Sequence, residues 1–301
     1  MLAYLNGQFM PLESATIPVW DYGFTMGVAI SEQLRTFGGR LHLLGFHLDR
    51  LANGLAISGI EPGLSMDQIG AIATEIVSRN LGALPDGRDL GIGIVITAGG
   101  HAVRAPAEIL ELAAATVLIY ALPLNFSAWS ADYENGIRLS TVNTREIPSE
   151  CVPRGLKCRS RMHYFLAERE AHKKSPGSRA LLLDTRGFVA EGTTASLLAV
   201  KDHMLIAPRA EYVLPGVSVR FVEQVICRRL AIAFQRTDLT IADLHAADEL
   251  LWLGTSVGIL PVAELDGVAI QQSKAKPMFR RLITEWSAQV GIDLVSQAQR
   301  V

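Results

Sequence analysis

The stretch Gly155-Leu156-Lys157-Cys158-Arg159-Ser160-Arg161-Met162-His163-Tyr164 decides how this chain is read. Its lysine sits between a strand or loop end, Arg154-Gly155-Leu156, and a helix signal in which Met162, Phe165 and Leu166 fall at i, i+3 and i+4. Glu168, Arg169 and Glu170 crowd the next turn. A lone lysine is most often a solvated surface charge. At such a junction it can instead be held over a cleft, where desolvation or a cationic neighbour lowers its pKa and frees the amine to attack a carbonyl. The rest of the chain has to supply what that amine would need.

Composition narrows the classes. The 301 residues, 49% hydrophobic and 19% charged, describe a soluble globular protein with a sizeable core and room for two domains. A formal charge of -2 leaves no basic excess for neutralising a phosphate backbone, so nucleic acid is not an expected partner. Cys151, Cys158 and Cys227 show no C-x-x-C spacing and read as reduced thiols of a cytoplasmic protein. The opening residues Met1 to Gly7 lack a basic, then apolar, secretory pattern. No run reaches the ~18 apolar residues that a bilayer span requires. The histidines form no H-x-x-x-H or Cys/His cluster, so no metal site is expected. Elbow, dinucleotide and P-loop signatures are likewise missing.

Taken in order, the chain mixes short strands and helices. Asn6-Gly7 between Ala3-Tyr4-Leu5 and Gln8-Phe9-Met10 reads as a hairpin. A glycine-punctuated stretch, Asp21 to Phe37, ends like a strand, and Gly38-Gly39 turns it into Arg40-Leu41-His42-Leu43. Leu48, Leu51 and Leu55 then form a helical stripe, which places Arg50 near the start of that helix. Ser65 and Gln68 make a capping box ahead of Ile69, Ile72, Ala73, Ile76 and Val77. Residues 90–97 and 116–122 read as buried strands, with a loop at 98–104 that carries Arg104. Periodicity lapses over 123–128, which reads as a linker between domains at 1–122 and 129–301. Further strands are expected at 137–142, 180–184, 196–201 and 250–253, with Glu191 in a turn. Leu214-Pro215-Gly216-Val217-Ser218 opens a helix carrying Val222, Val225, Ile226 and Leu230. With no regular βαβ alternation, the fold class is α+β rather than doubly wound.

Three features bear on chemistry. Gly216-Val217-Ser218 at a helix start, and Gly254-Thr255-Ser256 after a strand, are anion-cradle candidates, because first-turn N–H groups and the helix dipole favour phosphate. Arg50 offers a bidentate phosphate contact. Singly, each is more often an ordinary cap, turn or solvated arginine. Glu191, if set in a cleft, can hold a ring nitrogen protonated by charge pairing. A lysine nucleophile, an acid for a ring nitrogen and a helix-start phosphate seat are together what a pyridoxal phosphate site requires.

Jointly, these stretches resemble the class IV (fold type IV) pyridoxal phosphate enzymes, which include branched-chain aminotransferases, D-amino acid aminotransferases and aminodeoxychorismate lyase. The pieces that carry the resemblance are Asp21-Tyr22-Gly23-Phe24 with Gly27, His47-Leu48-Asp49-Arg50-Leu51, Leu156-Lys157, Asp184 with Gly187 and Glu191-Gly192, Leu214 to Ser218, and Gly254-Thr255-Ser256 before Pro261-Val262. The likeness runs from about Asn6 to Val262. It implies a small N-terminal α/β domain and a larger C-terminal pseudo-barrel domain, with pyridoxal 5′-phosphate between them, in a homodimer. On the same basis Lys157 is the lysine that joins the cofactor as a Schiff base and shuttles the proton, and Glu191 is the acid at the pyridine nitrogen. Arg50, Val217, Ser218 and Thr255 match phosphate-binding positions, with Thr194 as a further candidate.

Departures concern the substrate. Ser31-Glu32-Gln33-Leu34-Arg35 stands where branched-chain enzymes carry Phe-Glu-Gly-Ile-Arg, and Arg161 or Met162 where they carry tyrosine. Arg35, Arg104, Arg159 and Arg161 are candidates to grip a substrate carboxylate, since planar forks suit that task, and Ser256 is a further candidate contact. The expected activity exchanges an amino group between an amino acid and a 2-oxo acid. A lyase-like β-elimination releasing pyruvate is one alternative, and a cofactor-retaining binding protein is another.

Overall fold

Asn6 and Gly7, with φ of 45° and 93°, close the first hairpin, between β1 (Leu2–Leu5) and β2 (Gln8–Pro11). Two successive left-handed residues match the twist of the flanking strands, which explains the Asn-Gly pair there. In this computed structural model of the chain, residues 1–84, 88–101, 114–271 and 275–299 are described. They form two compact units. The first is Met1–Leu124 with Gly155–Arg161, and the second is Asn125–Arg154 with Met162–Val301.

The first unit is built on an antiparallel sheet in the order β2-β1-β6-β5-β3-β4. Its remaining strands are β3 (Ala29–Phe37), β4 (Arg40–Leu41), β5 (Leu90–Thr97) and β6 (Val117–Pro123). A single helical turn, α1 (Tyr22–Thr25), precedes β3, and two longer helices follow, α2 (Leu44–Ser58) and α3 (Met66–Leu81). The stripe expected on α2 buries Leu51 and Leu55, and α3 buries Ile69, Ala73, Ile76 and Val77, in one core with Ile30, Leu34, Ile92 and Ile94 of the sheet. Ser65 and Gln68 form the capping box at the start of α3. Buried Asn80 ties α3 to β1, accepting from Leu2 N at 2.7 Å and donating to Leu2 O at 3.0 Å.

The second unit holds a nine-stranded sheet, β12-β11-β10-β13-β14-β7-β8-β9, with β15 paired to β14. The strands are β7 (Ile137–Arg145), β8 (Arg179–Leu183), β9 (Val189–Gly192), β10 (Ser196–Lys201), β11 (Met204–Pro208), β12 (Phe234–Thr237), β13 (Glu249–Gly254), β14 (Gly258–Leu265) and β15 (Val268–Ala269). This order forces curvature. From β9 to β10 there are five strand spacings along the sheet, about 24 Å if it were flat. Only Thr193 to Ala195 join the two strands, and that connection reaches at most about 14 Å. The sheet must therefore curl back on itself, as a half-barrel.

Helices of this unit are α4 (Met162–Lys174), α5 (Val217–Phe221) and α6 (Pro277–Val290). α5 continues without a break through a π-helical turn, Val222–Ile226, into Cys227–Leu230. The buried Glu249 carboxylate accepts from Met278 N and Phe279 N, at 2.7 and 3.0 Å, and so satisfies orphan donors at the start of α6.

Some expectations are corrected here. α4 exists, but its apolar row does not face a core: Met162, Phe165 and Leu166 are 69%, 59% and 47% exposed. Small side chains carry its buried face instead, Ala167 and Ala171, packed against Val142, Ala180 and Leu182. Glu191 lies within strand β9 rather than in a turn. The stretch 123–128 includes a 3-10 turn, Phe126–Ala128, whose Phe126 is buried. Among the described residues no helix is long and apolar enough to cross a membrane, and no group of three or more His, Cys, Asp or Glu residues could hold a metal ion.

The curl brings β9 hard against β13. A Cβ added at Gly192 would lie 1.8 Å from the ring of buried Trp252, so no side chain fits there. Gly192→Ala is expected to destabilise the protein by about 3 kcal/mol, the upper end of the usual cost of overpacking. Denaturant midpoints for the two proteins measure this; an unchanged midpoint would contradict the packing.

Candidate active site

In the first unit, Lys157 is reached through its backbone. Ser31 donates to the Lys157 carbonyl from its N–H at 2.9 Å and from its Oγ at 3.2 Å. Arg159 N in turn donates to Ala29 O at 3.1 Å, and Ile30 and Cys158 form an antiparallel bridge. Residues around Lys157 thus add a short strand to the edge of β3. Leu156 packs against the unit's core. Gly155 fits because even a methyl there would meet Asn53 and Ile57 of α2 at 2.6 Å.

One residue beyond Ser31 along β3 lies Glu32, 1% exposed. Its carboxylate accepts from Arg50 Nε at 2.7 Å and Arg50 Nη2 at 2.8 Å, a fork-to-fork pair, and it lies 2.7 Å from His47 Nδ1. Both partners come from one turn of α2 and are themselves buried. Burial acts to raise the Glu32 pKa, but the charge and hydrogen bonds of Arg50 and His47 outweigh it and hold the group at about 2. For His47, burial dominates and lowers the pKa; Glu32 opposes this, while the positive charges of Arg50 and Lys157 add to it. Lys157 therefore lies within electrostatic reach of the Glu32-His47-Arg50 cluster.

Asp21, from another stretch that carried the resemblance, has a structural task. It is 2% exposed, caps α1 through Gly23 N at 2.6 Å, and accepts from the hydroxyls of Thr97 and Thr116 at 2.9 and 2.8 Å. Arg35 is also committed to the fold. Only 1% exposed, it donates from Nε to Thr36 O at 3.1 Å, and its guanidinium lies 3.8 Å from the Phe37 ring centre. Arg161, partly buried, donates to Cys158 O at 2.8 Å, whereas Arg159 is exposed. Arg104 lies outside the described residues.

In the second unit, Glu191 is 4% exposed, and its Oε1 accepts from Leu214 N at 3.0 Å. That bond anchors the segment leading into α5. Gly216 precedes the helix, and a Cβ there would come 2.7 Å from Ser196 Oγ on β10. Val217 and Ser218 occupy the first turn, whose N–H groups have no carbonyl four residues earlier within the helix. Ser196 pairs across to Leu253 of β13, so continuing that register past the strand ends sets Thr194 toward Thr255. Contacts agree: a Cβ on Gly254 would lie 3.7 Å from both Ala195 Cβ and Thr194 O. Glu191, the start of α5, Thr194 and Thr255-Ser256 are thereby gathered at one end of the curled sheet. Thr194 is exposed there, and Ser218 is buried. His163 lies against Tyr164 with ring centres 4.1 Å apart and planes tilted by 49°, and its Nε2 lies 3.5 Å from Glu146.

Comparison with known proteins decides the family. Residues 29–265 match the family described as Amino-transferase class IV. The chain belongs to the class IV aminotransferases. A "Putative branched-chain-amino-acid aminotransferase" of Methanocaldococcus jannaschii is 29% identical over 96% of this class IV aminotransferase and 99% of its own length. A D-alanine aminotransferase of Staphylococcus haemolyticus is 26% identical over 93% of this chain and 94% of its own. Among solved structures, the T.th. branched-chain amino acid aminotransferase with pyridoxamine 5′-phosphate superposes with a TM-score of 0.84 at 26% identity, covering 96% of this chain and 94% of that one. The α+β architecture with a curled half-barrel sheet is the fold of these type IV enzymes.

Class IV aminotransferases work with pyridoxal 5′-phosphate, and the residues present fit that group. The first unit offers an amine at Lys157 and a guanidinium at Arg50. The second offers a buried carboxylate at Glu191 and, beside it, a glycine-lined helix start where an added Cβ would intrude. What sequence reasoning missed is Glu32. Its only signal was an acid in β3, a strand that is otherwise almost wholly buried.

These buried ionisable groups set a pH response. Burial, helped by the positive charges of Arg35 and His47, lowers the His42 pKa from 6.5 to about 3. Below pH 6.5 the unfolded chain therefore takes up a proton that the folded chain refuses, so stability falls with acidification. Glu32 acts in the same direction: its stabilisation is present above 4.5 and lost as pH falls toward about 2. Melting temperatures should drop steadily from about pH 7 to about pH 4. In His42→Phe the part of that slope below pH 6.5 should flatten, and an unaltered slope would show His42 to be uninvolved.

Proposed function

We propose that this aminotransferase binds pyridoxal 5′-phosphate through Lys157 and exchanges an amino group between an amino acid and a 2-oxo acid. The observation that carries this reading is the first unit's arrangement, in which the edge of β3 fixes the backbone of Lys157 one residue away from the acid that holds Arg50. The branched-chain and D-alanine enzymes among the relatives support amino acid and 2-oxo acid substrates. When bound, the cofactor supplies an electron sink that lets the Cα–H bond of the amino acid ionise.

The chain's own residues then have distinct tasks. Lys157 Nζ would hold the cofactor at its aldehyde carbon, with water as the leaving group, and, once released, would carry the proton taken from the substrate Cα. The Glu191 carboxylate holds a proton at the ring nitrogen by charge pairing, and Leu214 N–H orients it. Arg50 of the first unit, and in the second the N–H groups of Val217 and Ser218, the Ser218 hydroxyl and Thr255, would hold the phosphate, with Thr194 as a further candidate. Arg161 is the candidate for the substrate carboxylate, and Ser256 is a further candidate substrate contact. The working form is a homodimer, in keeping with the exposed apolar row Met162, Phe165 and Leu166 on α4. A reducing, cytoplasmic setting suits its three free cysteines.

The test is spectroscopic. Purified protein should take up pyridoxal 5′-phosphate with a visible absorbance band that Lys157→Ala abolishes. Turnover should fall with it by about 100-fold or more, the lower end of what a general acid–base group contributes. Adding single L- or D-amino acids should convert that band for at least one donor, and 2-oxoglutarate should restore it. No conversion by any donor would sink the transaminase reading. Pyruvate released from aminodeoxychorismate without an amino acceptor would mark a lyase instead.

A further inference from the structure

Glu32 is placed as no simple surface or core residue would be. It is a carboxylate 1% exposed inside a strand that is buried at every position except Gln33, a place that costs several kcal/mol unless its charge is met. Two hydrogen bonds from Arg50 and one contact to His47 meet it. Oε2 serves both partners, receiving Arg50 Nη2 at 2.8 Å and lying 2.7 Å from His47 Nδ1. An ionised carboxylate can only accept. Nδ1 of His47 must therefore carry a proton and donate to Glu32. The ring is held through Nδ1, the carboxylate cannot rotate without losing a bond, and the guanidinium plane is set by two parallel bonds.

We propose that Glu32 is a positioning residue for cofactor binding: its carboxylate, steadied by His47, sets the plane in which Arg50 meets the cofactor phosphate. The inference rests on the reading of Arg50 as a phosphate contact. It assigns no chemical step to Glu32. An arginine without this partner would keep its charge but lose its direction, and bidentate recognition of a phosphate depends on direction. Glu32→Gln tests the point with little change of shape, since it turns one acceptor oxygen into a donor that faces the N–H groups of Arg50 and His47.

The experiment compares two probes on the full chain stripped of cofactor: pyridoxal 5′-phosphate, and pyridoxal, which has the same aldehyde and ring but no phosphate. Glu32→Gln is expected to weaken binding of the phosphorylated probe by about 10- to 100-fold, the scale seen when the outer partner of a ligating side chain is removed. Pyridoxal affinity should stay close to the wild-type value. Arg50→Gln should show the same selective loss, and adding Glu32→Gln to it should cost nothing further, as for two residues acting through one contact. If Glu32→Gln does not fold, Glu32→Asp, which keeps the charge but withdraws it by one methylene, should show a smaller loss of the same selectivity.

An equal loss for both probes, or no loss for either, while Arg50→Gln is selective, would overturn the positioning role and leave the Arg50 reading intact. An unselective Arg50→Gln would overturn both.

Discussion

The backbone pairing of Ser31 with Lys157 is the constraint on which the first unit depends. β3 is buried along nearly its whole length, with β5 along one edge and β4 at the far end of the other. The start of that second edge is closed by Lys157 to Arg159, from a segment more than a hundred residues away in sequence. An unpaired strand edge in a core leaves N–H and C=O groups without partners, at a cost comparable to a lost hydrogen bond for each. The bonds at Ala29 and Ser31 therefore satisfy the strand, and in doing so they fix where the lysine side chain begins. One set of hydrogen bonds both completes the strand edge and places the lysine.

The second unit reaches its arrangement by geometry of another kind. A short link between strands at distant places in the sheet order compels the sheet to curl, and that curl sets Glu191, the entry to α5 and the β13–β14 turn at one end. Trp252 fills the inside of the bend so closely that only glycine fits opposite it. Carboxylate and helix start are then joined by one hydrogen bond, from Leu214 N–H to Glu191.

Local signals were legible in the sequence and distant ones were not. Asn6-Gly7 and the Ser65-Gln68 capping box each act within a few residues, and both occur where the sequence puts them. The opening of α5 at Val217 and the place of Arg50 on α2 followed from similar cues. The side of α4 that packs did not. Its strongest apolar residues point outward, and two alanines, which contribute little to any hydrophobic pattern, form the contact. β9 was hidden because Val189-Ala190-Glu191-Gly192 is buried at every position, so it lacks the alternation that marks a half-exposed strand. The partnership of Glu32 with Arg50 joins a strand to a helix across 18 positions, and charge type alone does not select one partner among many. Arg35 shows the reverse: an arginine that looked available by composition is absorbed by a carbonyl and an aromatic ring.

The return of Gly155–Arg161 to the first unit also bears on how the chain can be made and divided. A ribosome releases Met1 to Leu124 well before Lys157 emerges, so during synthesis β3 waits with part of its edge open. A polypeptide cut at Leu124 would keep that exposed edge permanently, as a template for pairing with other chains rather than as an independent module. The two units are distinct by contact but not separable by a single cut, and the lysine is the reason.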